Sequence, residues 1–353
     1  MFLIHSSKSH SNFSIVAINP LFLVFILNFM KKILVSLTLL IFILLPGKLS
    51  AQIKAGTHFT ESEVLLKTST GDISGTLTVP VNLKKSPVVL IIAGSGPTDR
   101  DCNSPLGINT NAYKMLAGSF AENGISTLRF DKRAIGKSRA AATSESELRF
   151  ETYINDAVEW INLLKKDKRF LKIIVMGHSE GSLIGIVAAE KTGISKLISL
   201  AGIGSPADTV LRRQLKSKLP PQLMAESNAV LDSLRSGKTV SKVNPVLVSL
   251  YRPSVQPYLI SWIKYDPSAE IKKLKIPVLI VQGTTDIQVS VEDAKLLSAA
   301  KPDAKLLIIE NMNHILKESE ADRQKNIATY SNPELPLKQG LVKELVSFIK
   351  SKK

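Results

Sequence analysis

The sequence predicts an α/β protein with a mostly parallel central sheet flanked by helices, and three observations support that class. Short apolar runs alternate with longer amphipathic segments along most of the chain. Several of these runs are apolar throughout, as in strands that helices cover on both faces. The run over residues 173–176 stops at Gly177-His178-Ser179-Glu180-Gly181 and continues with helical spacing, which predicts a strand, a sharp turn and a helix.

The first half of the chain alternates between strand and helix patterns. Residues 61–69 and 73–80 alternate polar and apolar side chains, which predicts an antiparallel hairpin at the sheet edge. Residues 87–93 are apolar throughout, which predicts a buried strand, and a polar, glycine-rich loop follows over 94–101. The same patterns predict a helix over 111–123, a strand over 125–130, a helix over 151–166 and a strand over 171–176.

The second half repeats this alternation around one interruption. Residues 206–275 show helical periodicity with several prolines and no strong buried strand, so we expect a helical insertion there. The core would then comprise residues 52–205 and 276–353. Its remaining predicted elements are a helix over 182–191, strands over 196–201, 277–282 and 305–310, and helices over 291–300 and 337–350.

The insertion carries an apolar stripe and a group of aromatic residues. Such a stripe is more often the packed core of a segment than a substrate box, so we interpret it as packing. The stripe has helical spacing and comprises Leu211, Leu215, Leu219, Leu223, Val230, Leu231 and Leu234. The aromatic residues are Tyr251, Tyr258, Trp262 and Tyr265.

Composition and charge exclude several classes of function. The 353-residue chain is 44% hydrophobic, and its formal net charge of +16 is scattered rather than gathered in long basic runs. Basic patches interleaved with aromatic residues are absent, so we expect no nucleic-acid partner. Cys102 is the single cysteine, which excludes an internal disulfide framework and a Cys/His metal motif. We expect neither a metal nor a cofactor, and the sequence leaves the oligomeric state open.

Residues 1–51 have the form of a signal peptide. Two lysines after Met30 precede an apolar stretch that ends shortly before the small residue Ala51. We expect cleavage near Ala51 and a secreted or periplasmic protein, with Met30 as the true start and residues 1–29 an upstream extension. The alternative is an uncleaved membrane anchor, because residues 21–45 could span a bilayer apart from the lysine pair. A membrane is expected as a partner only in that case.

The turn after the fifth predicted strand carries the candidate nucleophile. Gly177 and Gly181 leave room for a tight turn, so the Ser179 hydroxyl would stand clear of the backbone. A serine needs a base to take its proton, and histidine is the usual base at neutral pH. The chain has five histidines: His5, His10, His58, His178 and His314. His5 and His10 precede the expected signal-peptide cleavage site, and His58 precedes the hairpin. The turn would direct the His178 side chain away from Ser179.

His314 remains as the candidate base, in a loop after the last predicted strand, where such sheets place their sites. The carboxylate that orients it is expected to be Asp286, which follows the strand over 277–282 and gives the chain order Ser, Asp, His. The rival carboxylates are Asp208, Asp303 and Glu310.

The oxyanion of an acyl-transfer reaction needs two N–H donors. The backbone N–H of Glu180, at the start of the helix after the turn, is expected to supply one. The other should come from the loop over 94–101, where Ser95 is the first candidate and Gly96 the second.

Five motifs together carry a family resemblance. They are Ala93-Gly-Ser-Gly-Pro-Thr-Asp-Arg-Asp101, Leu128-Arg-Phe-Asp-Lys-Arg-Ala-Ile-Gly-Lys-Ser138, Gly177 to Gly181, Gly283-Thr-Thr-Asp286 and Asn313-His314. This set resembles the serine hydrolases of the α/β-hydrolase superfamily, most closely the secreted bacterial branch of S33-type serine aminopeptidase-like esterases and lipases. The resemblance implies that the insertion 206–275 is a lid over the site. Cys102 and Ala134 depart from the family, which usually has glycine at both positions.

The sequence therefore predicts a secreted serine hydrolase that cleaves a carboxylic ester, or a related acyl bond, of a small molecule through an acyl-enzyme. One alternative is a serine aminopeptidase-like peptidase, in which Glu226, Asp232 or Asp266 would capture the substrate amine. A second is a catalytically silent scaffold that binds a ligand. The charged set Arg100, Arg129, Asp131 and Arg133 is interpreted as a structural ion-pair network.

Overall fold

The computed structural model describes residues 58–81, 83–142, 144–216 and 218–352. The predicted signal peptide, its cleavage site and the expected start at Met30 therefore lie outside the described residues. The strands are β1 (Phe59–Thr68), β2 (Gly71–Pro80), β3 (Ser86–Ile92), β4 (Asn103–Ser104), β5 (Ile108–Asn109), β6 (Ser126–Phe130), β7 (Phe170–His178), β8 (Lys196–Leu200), β9 (Val278–Gly283) and β10 (Lys305–Ile309).

Eight of these strands form one sheet, in the order β1-β2-β6-β3-β7-β8-β9-β10. The β1–β2 and β2–β6 pairs are antiparallel, and every other neighbouring pair in this sheet is parallel. The predicted hairpin at the sheet edge and the mostly parallel sheet are both confirmed. The short strands β4 and β5 pair with each other in the loop region after β3.

The helices of the described residues are α1 (Ala112–Glu122), α2 (Phe150–Lys166), α3 (Glu180–Thr192), α4 (Ala207–Lys216), α5 (Pro221–Arg235), α6 (Val248–Tyr251), α7 (Gln256–Ile263), α8 (Pro267–Lys273), α9 (Val291–Ala300), α10 (Arg323–Ala328) and α11 (Leu341–Lys350). None of them is both long enough and apolar enough to cross a membrane.

The sheet separates two apolar layers, and strand β3 shows why residues 87–92 form an uninterrupted apolar run. Val88 and Leu90 point to the layer that includes side chains of α2 and α3. Val89 and Ile91 point to the opposite layer, which includes side chains of α1 and α11. Because both faces of the strand are covered, the positions after Ser86 favour apolar residues.

Helices α4 to α8 lie in the segment between β8 and β9 and contain a third apolar cluster. Six of the seven stripe leucines and valines named above are buried in it or pack against it, with Leu211 and Leu219 at its border, and Leu223 is not part of it. Tyr251 belongs to the same cluster, and Trp262 packs against it and also stacks on Phe150 of α2 at a centroid distance of 6.0 Å. The division of the core at 52–205, 206–275 and 276–353 stays a prediction.

The last helix begins later than expected. The pattern predicted a start at residue 337, but α11 begins at Leu341 because Gly340 adopts a φ of 86°. Leu337 instead forms a β-bridge with Lys317, which ties the approach to the helix to the loop after β10. The apolar periodicity continued beyond the helix because that bridge also buries apolar side chains.

Candidate active site

The turn between β7 and α3 is as tight as its glycines predict. A Cβ on Gly177 would lie 2.1 Å from the Gly181 carbonyl oxygen, and one on Gly181 would lie 2.4 Å from that of Ile92. Ser179 sits between them with φ 55° and ψ −122°, a conformation that a residue with a side chain rarely adopts. This strain places the serine where the parallel strands end and the helix begins.

Asp286 and His314 meet at the same end of the sheet. The loops after β9 and β10 bring His314 Nδ1 to 2.7 Å from Asp286 Oδ2. The other oxygen of the carboxylate accepts hydrogen bonds from the backbone N–H groups of Gln288 and Val289, at 2.8 and 2.9 Å. Burial acts to raise the pKa of Asp286, but the His314 imidazole and these N–H groups outweigh it and lower that pKa below its ordinary value.

Ser179 and His314 line one cavity of about 70 Å³ together with Gly94 and Ser95. Ser179 is 8% exposed and His314 is 5% exposed. Among the described residues no hydrogen bond joins the Ser179 hydroxyl to His314, and such bonds are often long in ligand-free enzymes. The structure thus brings the candidate nucleophile and base to one cavity, with the candidate acid directly behind the base.

The two candidate oxyanion donors approach this cavity from different loops. Glu180 is the first residue of α3, where backbone N–H groups have no partner within the helix. The loop after β3 passes directly against the nucleophile, since a Cβ on Gly94 would lie 3.1 Å from the Ser179 Cβ. Ser95 follows Gly94 and lines the cavity of Ser179, whereas Gly96 lines a neighbouring, larger cavity. Ser95 therefore stays the first candidate.

A buried lysine that the sequence pattern did not single out connects these two loops. Lys132 is 2% exposed, and its ammonium donates to the Gly94 carbonyl at 2.6 Å and to Glu180 Oε1 at 3.0 Å. It also lies 4.9 Å from the centroid of the Tyr153 ring. Because a trans peptide directs its C=O and N–H oppositely, this bond to Gly94 aims the Ser95 N–H away from Lys132.

His178 also contributes to the site, because its ring connects Tyr113 to the backbone of His314. The turn had been expected to direct this side chain elsewhere. Its Nδ1 lies 2.7 Å from the Tyr113 hydroxyl, and its Nε2 lies 2.8 Å from the His314 carbonyl oxygen. Burial, aided by the neighbouring His314, lowers the pKa of His178 to about 3, so the ring is neutral at pH 7. A carbonyl only accepts, so Nε2 carries the proton and Nδ1 accepts from Tyr113.

The Tyr113 hydroxyl in turn accepts from the Gly94 N–H at 3.4 Å. A hydrogen-bonded chain thus runs from the oxyanion loop through Tyr113 and His178 to the backbone of His314. His178 is a poor candidate for the base because both of its ring nitrogens are engaged and its lowered pKa makes it a weak proton acceptor, but the sequence reasoning missed this connecting position. The position of His178 directly before Ser179 in the sequence could have indicated that it contacts the site.

The remaining charged candidates are engaged elsewhere. Asp208 accepts from Arg235 at 2.6 Å, Asp303 accepts from Lys301 at 2.9 Å, and Glu310 is exposed. The predicted ion-pair network is present, with further acidic partners. Its contacts are Arg100 with Asp131 at 2.7 Å, Arg129 with Asp101 at 2.8 Å and with Glu61 at 2.9 Å, and Arg133 with Asp156 at 2.7 Å.

Both positions where the family usually has glycine have left-handed backbone. Cys102 has a φ of 73° and Ala134 a φ of 68°. Glycine adopts this region without strain, which gives the physical reason for the usual residue. Among the described residues there is no group of three or more His, Cys, Asp or Glu side chains that could hold a metal ion.

Comparisons with known proteins identify the family of this chain. A family model described as serine aminopeptidase, S33, matches residues 106–320, a range that includes Ser179, Asp286 and His314. Esterase EstD of Thermotoga maritima is 26% identical over 261 residues, which cover 70% of this chain and 59% of the esterase. The match therefore spans less than two thirds of that relative.

Solved structures share the fold. Est1E from Butyrivibrio proteoclasticus superposes with a TM-score of 0.52 at 18% identity, covering 81% of this chain and 98% of Est1E. DcsB in complex with its substrate analogue superposes with a TM-score of 0.53 at 16% identity, covering 82% of this chain and 99% of DcsB. At these identities the likeness shows the α/β-hydrolase fold alone.

Proposed function

This chain belongs to the serine aminopeptidase S33 family of α/β-hydrolase serine hydrolases, and from that premise we propose that it hydrolyses carboxylic esters through an acyl-enzyme on Ser179. The observation that carries the proposal is the single cavity lined by Ser179 and His314, with Asp286 bonded to the far nitrogen of His314. That arrangement supplies a nucleophile, a base and the group that orients the base.

The reaction proceeds in two halves. His314 Nε2 takes the proton of the Ser179 hydroxyl while Oγ bonds to the ester carbonyl carbon, and the oxyanion accepts from the N–H groups of Ser95 and Glu180. The C–O bond to the alcohol then breaks, and His314 returns the proton to the departing oxygen. Water repeats the sequence on the acyl-enzyme, giving the free acid and restoring Ser179. Asp286 stabilises the imidazolium that forms in each half.

Ester cleavage is favoured over aminopeptidase activity by the positions of the candidate carboxylates. An aminopeptidase must bind a substrate ammonium, which needs an acidic side chain in the substrate cavity. Glu226 accepts from Asn244 at 2.9 Å, Asp232 pairs with Arg212 at 2.6 Å, and Asp266 caps α8. None of the three lines the cavity of Ser179 or the larger cavity of Glu180. The named relative EstD, an esterase, supports the same choice.

The proposal has two further parts: the insertion 206–275 acts as a lid over the site, and the protein is secreted. Arg252, Val255 and Tyr258, all from the segment between β8 and β9, line the larger cavity together with Glu180, which supports a covering role for the insertion 206–275. Secretion rests on the signal-like pattern of residues 1–51 alone. Intact-mass analysis of the exported protein tests it, and a mass that retains those residues would favour the membrane anchor.

Covalent labelling separates the enzyme from a silent binding scaffold. A fluorophosphonate probe should form one adduct on Ser179 in the folded wild type, and Ser179→Ala should abolish it. Ser233→Ala, a matched substitution in α5, should label like the wild type. Absence of an adduct on folded wild-type protein would contradict the enzyme proposal.

A substrate comparison then separates esterase from peptidase. Proton release from methyl butyrate should exceed hydrolysis of aminoacyl anilides at equal concentration. A clear preference for the anilides would select the peptidase instead.

A further inference from the structure

Two cavities of unequal size adjoin the candidate oxyanion donors, since Ser95 lines one and Glu180 lines the other. The smaller, of about 70 Å³, contains His314 and the Ser179 side chain. The larger, of about 370 Å³, is lined by Gly96 and Glu180. The smaller cavity therefore offers roughly a fifth of the space, about 70 against about 370 Å³.

The chemistry decides which part of an ester occupies which cavity. His314 must return its proton to the alcohol oxygen as the C–O bond breaks, so the alcohol has to lie within hydrogen-bond reach of His314. The acyl chain leaves the carbonyl carbon along a different bond, so it need not share the smaller cavity with the alcohol. We propose, on the basis of the function proposed above, that the enzyme takes esters of small alcohols with a bulky, uncharged acyl group, which the larger cavity binds.

The walls of the larger cavity fit an apolar chain or ring. Tyr153 and Tyr258 form one wall, with their rings edge to face at a centroid distance of 5.7 Å. Ile135, Leu148 and Val255 add aliphatic surface. Binding an apolar acyl group there removes apolar surface from water on both partners, which contributes roughly 25 cal/mol for each Å² removed.

The charges around the same cavity cancel within pairs. Its acidic lining residues are Glu145 and Glu180, and its basic ones are Lys132 and Arg252. Lys132 bonds Glu180 at 3.0 Å, and Arg252 Nε bonds Glu145 at 2.7 Å while a second guanidinium nitrogen contacts the other Glu145 oxygen. A charged acyl group would lose hydration without gaining a free counter-ion, so the cavity disfavours both carboxylates and ammonium groups.

Two isomeric esters test the orientation. Methyl 5-phenylpentanoate and 4-phenylbutyl acetate have the same atoms and nearly the same hydrophobicity, but the bulk lies on the acyl side in the first and on the alcohol side in the second. We expect kcat/KM to be at least about tenfold higher for the methyl ester, since misplacing several methylenes in a fitted pocket costs that much. Equal rates, or a preference for the acetate, would overturn the assignment of the two cavities.

A second pair of esters, one neutral and one charged, tests whether the acyl group must be uncharged. Methyl nonanoate and the monomethyl ester of nonanedioic acid differ by a terminal carboxylate, and kcat/KM should be at least about tenfold lower for the charged ester. Equal rates would refute the requirement for an uncharged acyl group. If none of these four esters is hydrolysed while Ser179 still labels, the proposed esterase function itself has failed.

A variant locates the acyl group. Val255→Trp should lower the ratio of kcat/KM for methyl 5-phenylpentanoate to that for methyl acetate by about tenfold or more, because it fills the cavity. The matched control is Val246→Trp, at a valine that is 62% exposed and outside both cavities. The control should keep the wild-type ratio. An unchanged ratio in Val255→Trp would place the acyl group elsewhere.

Discussion

Replacing Lys132 by methionine tests how the oxyanion loop is held. Methionine keeps the length of the side chain but removes the ammonium that bonds both Gly94 O and Glu180. Glu180, whose side chain is 3% exposed, then lacks its cation. Breaking a buried ion pair from one side costs about 3–5 kcal/mol, so we expect the free energy of unfolding to fall by that amount.

The same substitution should slow acylation. Without Lys132 the Gly94–Ser95 peptide is free to rotate, and the Ser95 N–H no longer points at the oxyanion. Complete loss of one such donor lowers kcat by about 10²–10³-fold, so a donor that is present but poorly held should cost roughly 10–100-fold. KM should change much less, because the ground-state carbonyl depends little on this bond.

A second variant separates stability from catalysis. In Lys132→Met/Glu180→Gln the buried carboxylate is gone, so most of the lost stability should return, whereas kcat should stay low because Gly94 O still lacks its donor. Lys67→Met, which breaks a salt bridge whose lysine side chain is 76% exposed, serves as the control and should cost less than about 1 kcal/mol.

Urea unfolding and single-turnover release of alcohol measure the two effects in each variant. Wild-type stability and wild-type kcat in Lys132→Met would refute the reasoning. A double variant that regains full kcat would show that the rate loss came from the unpaired carboxylate.

Three further predictions concern the base, its neighbour and a backbone position. Asp286→Asn should lower kcat by about 10³–10⁴-fold in ester hydrolysis assays, because it leaves His314 without its charged partner, and a loss below tenfold would contradict the triad. The pKa of His178 is about 3 when folded against about 6.5 unfolded, so its contribution to stability is complete above pH 6.5 and declines toward pH 3. His178→Gln should therefore flatten the pH dependence of unfolding across that range by a few kcal/mol, and an unchanged slope would show that His178 is not the source. Ala134→Gly should raise the melting temperature, because φ there is 68°, whereas Ala229→Gly inside helix α5 should lower it by the equivalent of about 1 kcal/mol. A lower melting temperature for Ala134→Gly would contradict the strain argument.

The sequence was sufficient for the features that depend on local pattern. Residues 87–92 of strand β3 form an apolar run because helices cover both faces, and Gly177 and Gly181 mark a turn that side chains would block. The positions of Asp286 and His314 followed from a general rule, that parallel strands place their following loops at one end of the sheet.

Features that depend on distant contacts could not be predicted in this way. Lys132 lies in a run of charged residues, and nothing in its local pattern indicates that its ammonium is buried against Gly94 and Glu180. The role of His178 depends on Tyr113, which is 65 residues away in the sequence. The start of α11 was wrong by one turn because a β-bridge at Leu337 continued the apolar pattern.

The strands that precede the candidate site residues differ in position, since some are central in the sheet and one is at its edge. We therefore expect the parts of the site to differ in thermal stability. The candidate nucleophile follows β7 and the candidate oxyanion loop follows β3, and both strands have a neighbour on each side. The candidate base His314 follows β10, the half-exposed last strand, which within the described part of the chain pairs with β9 alone. Elements with fewer buried contacts open first, so we expect warming to release the base while the centre of the sheet remains intact. Activity should therefore disappear before the fold does, and it should return on cooling.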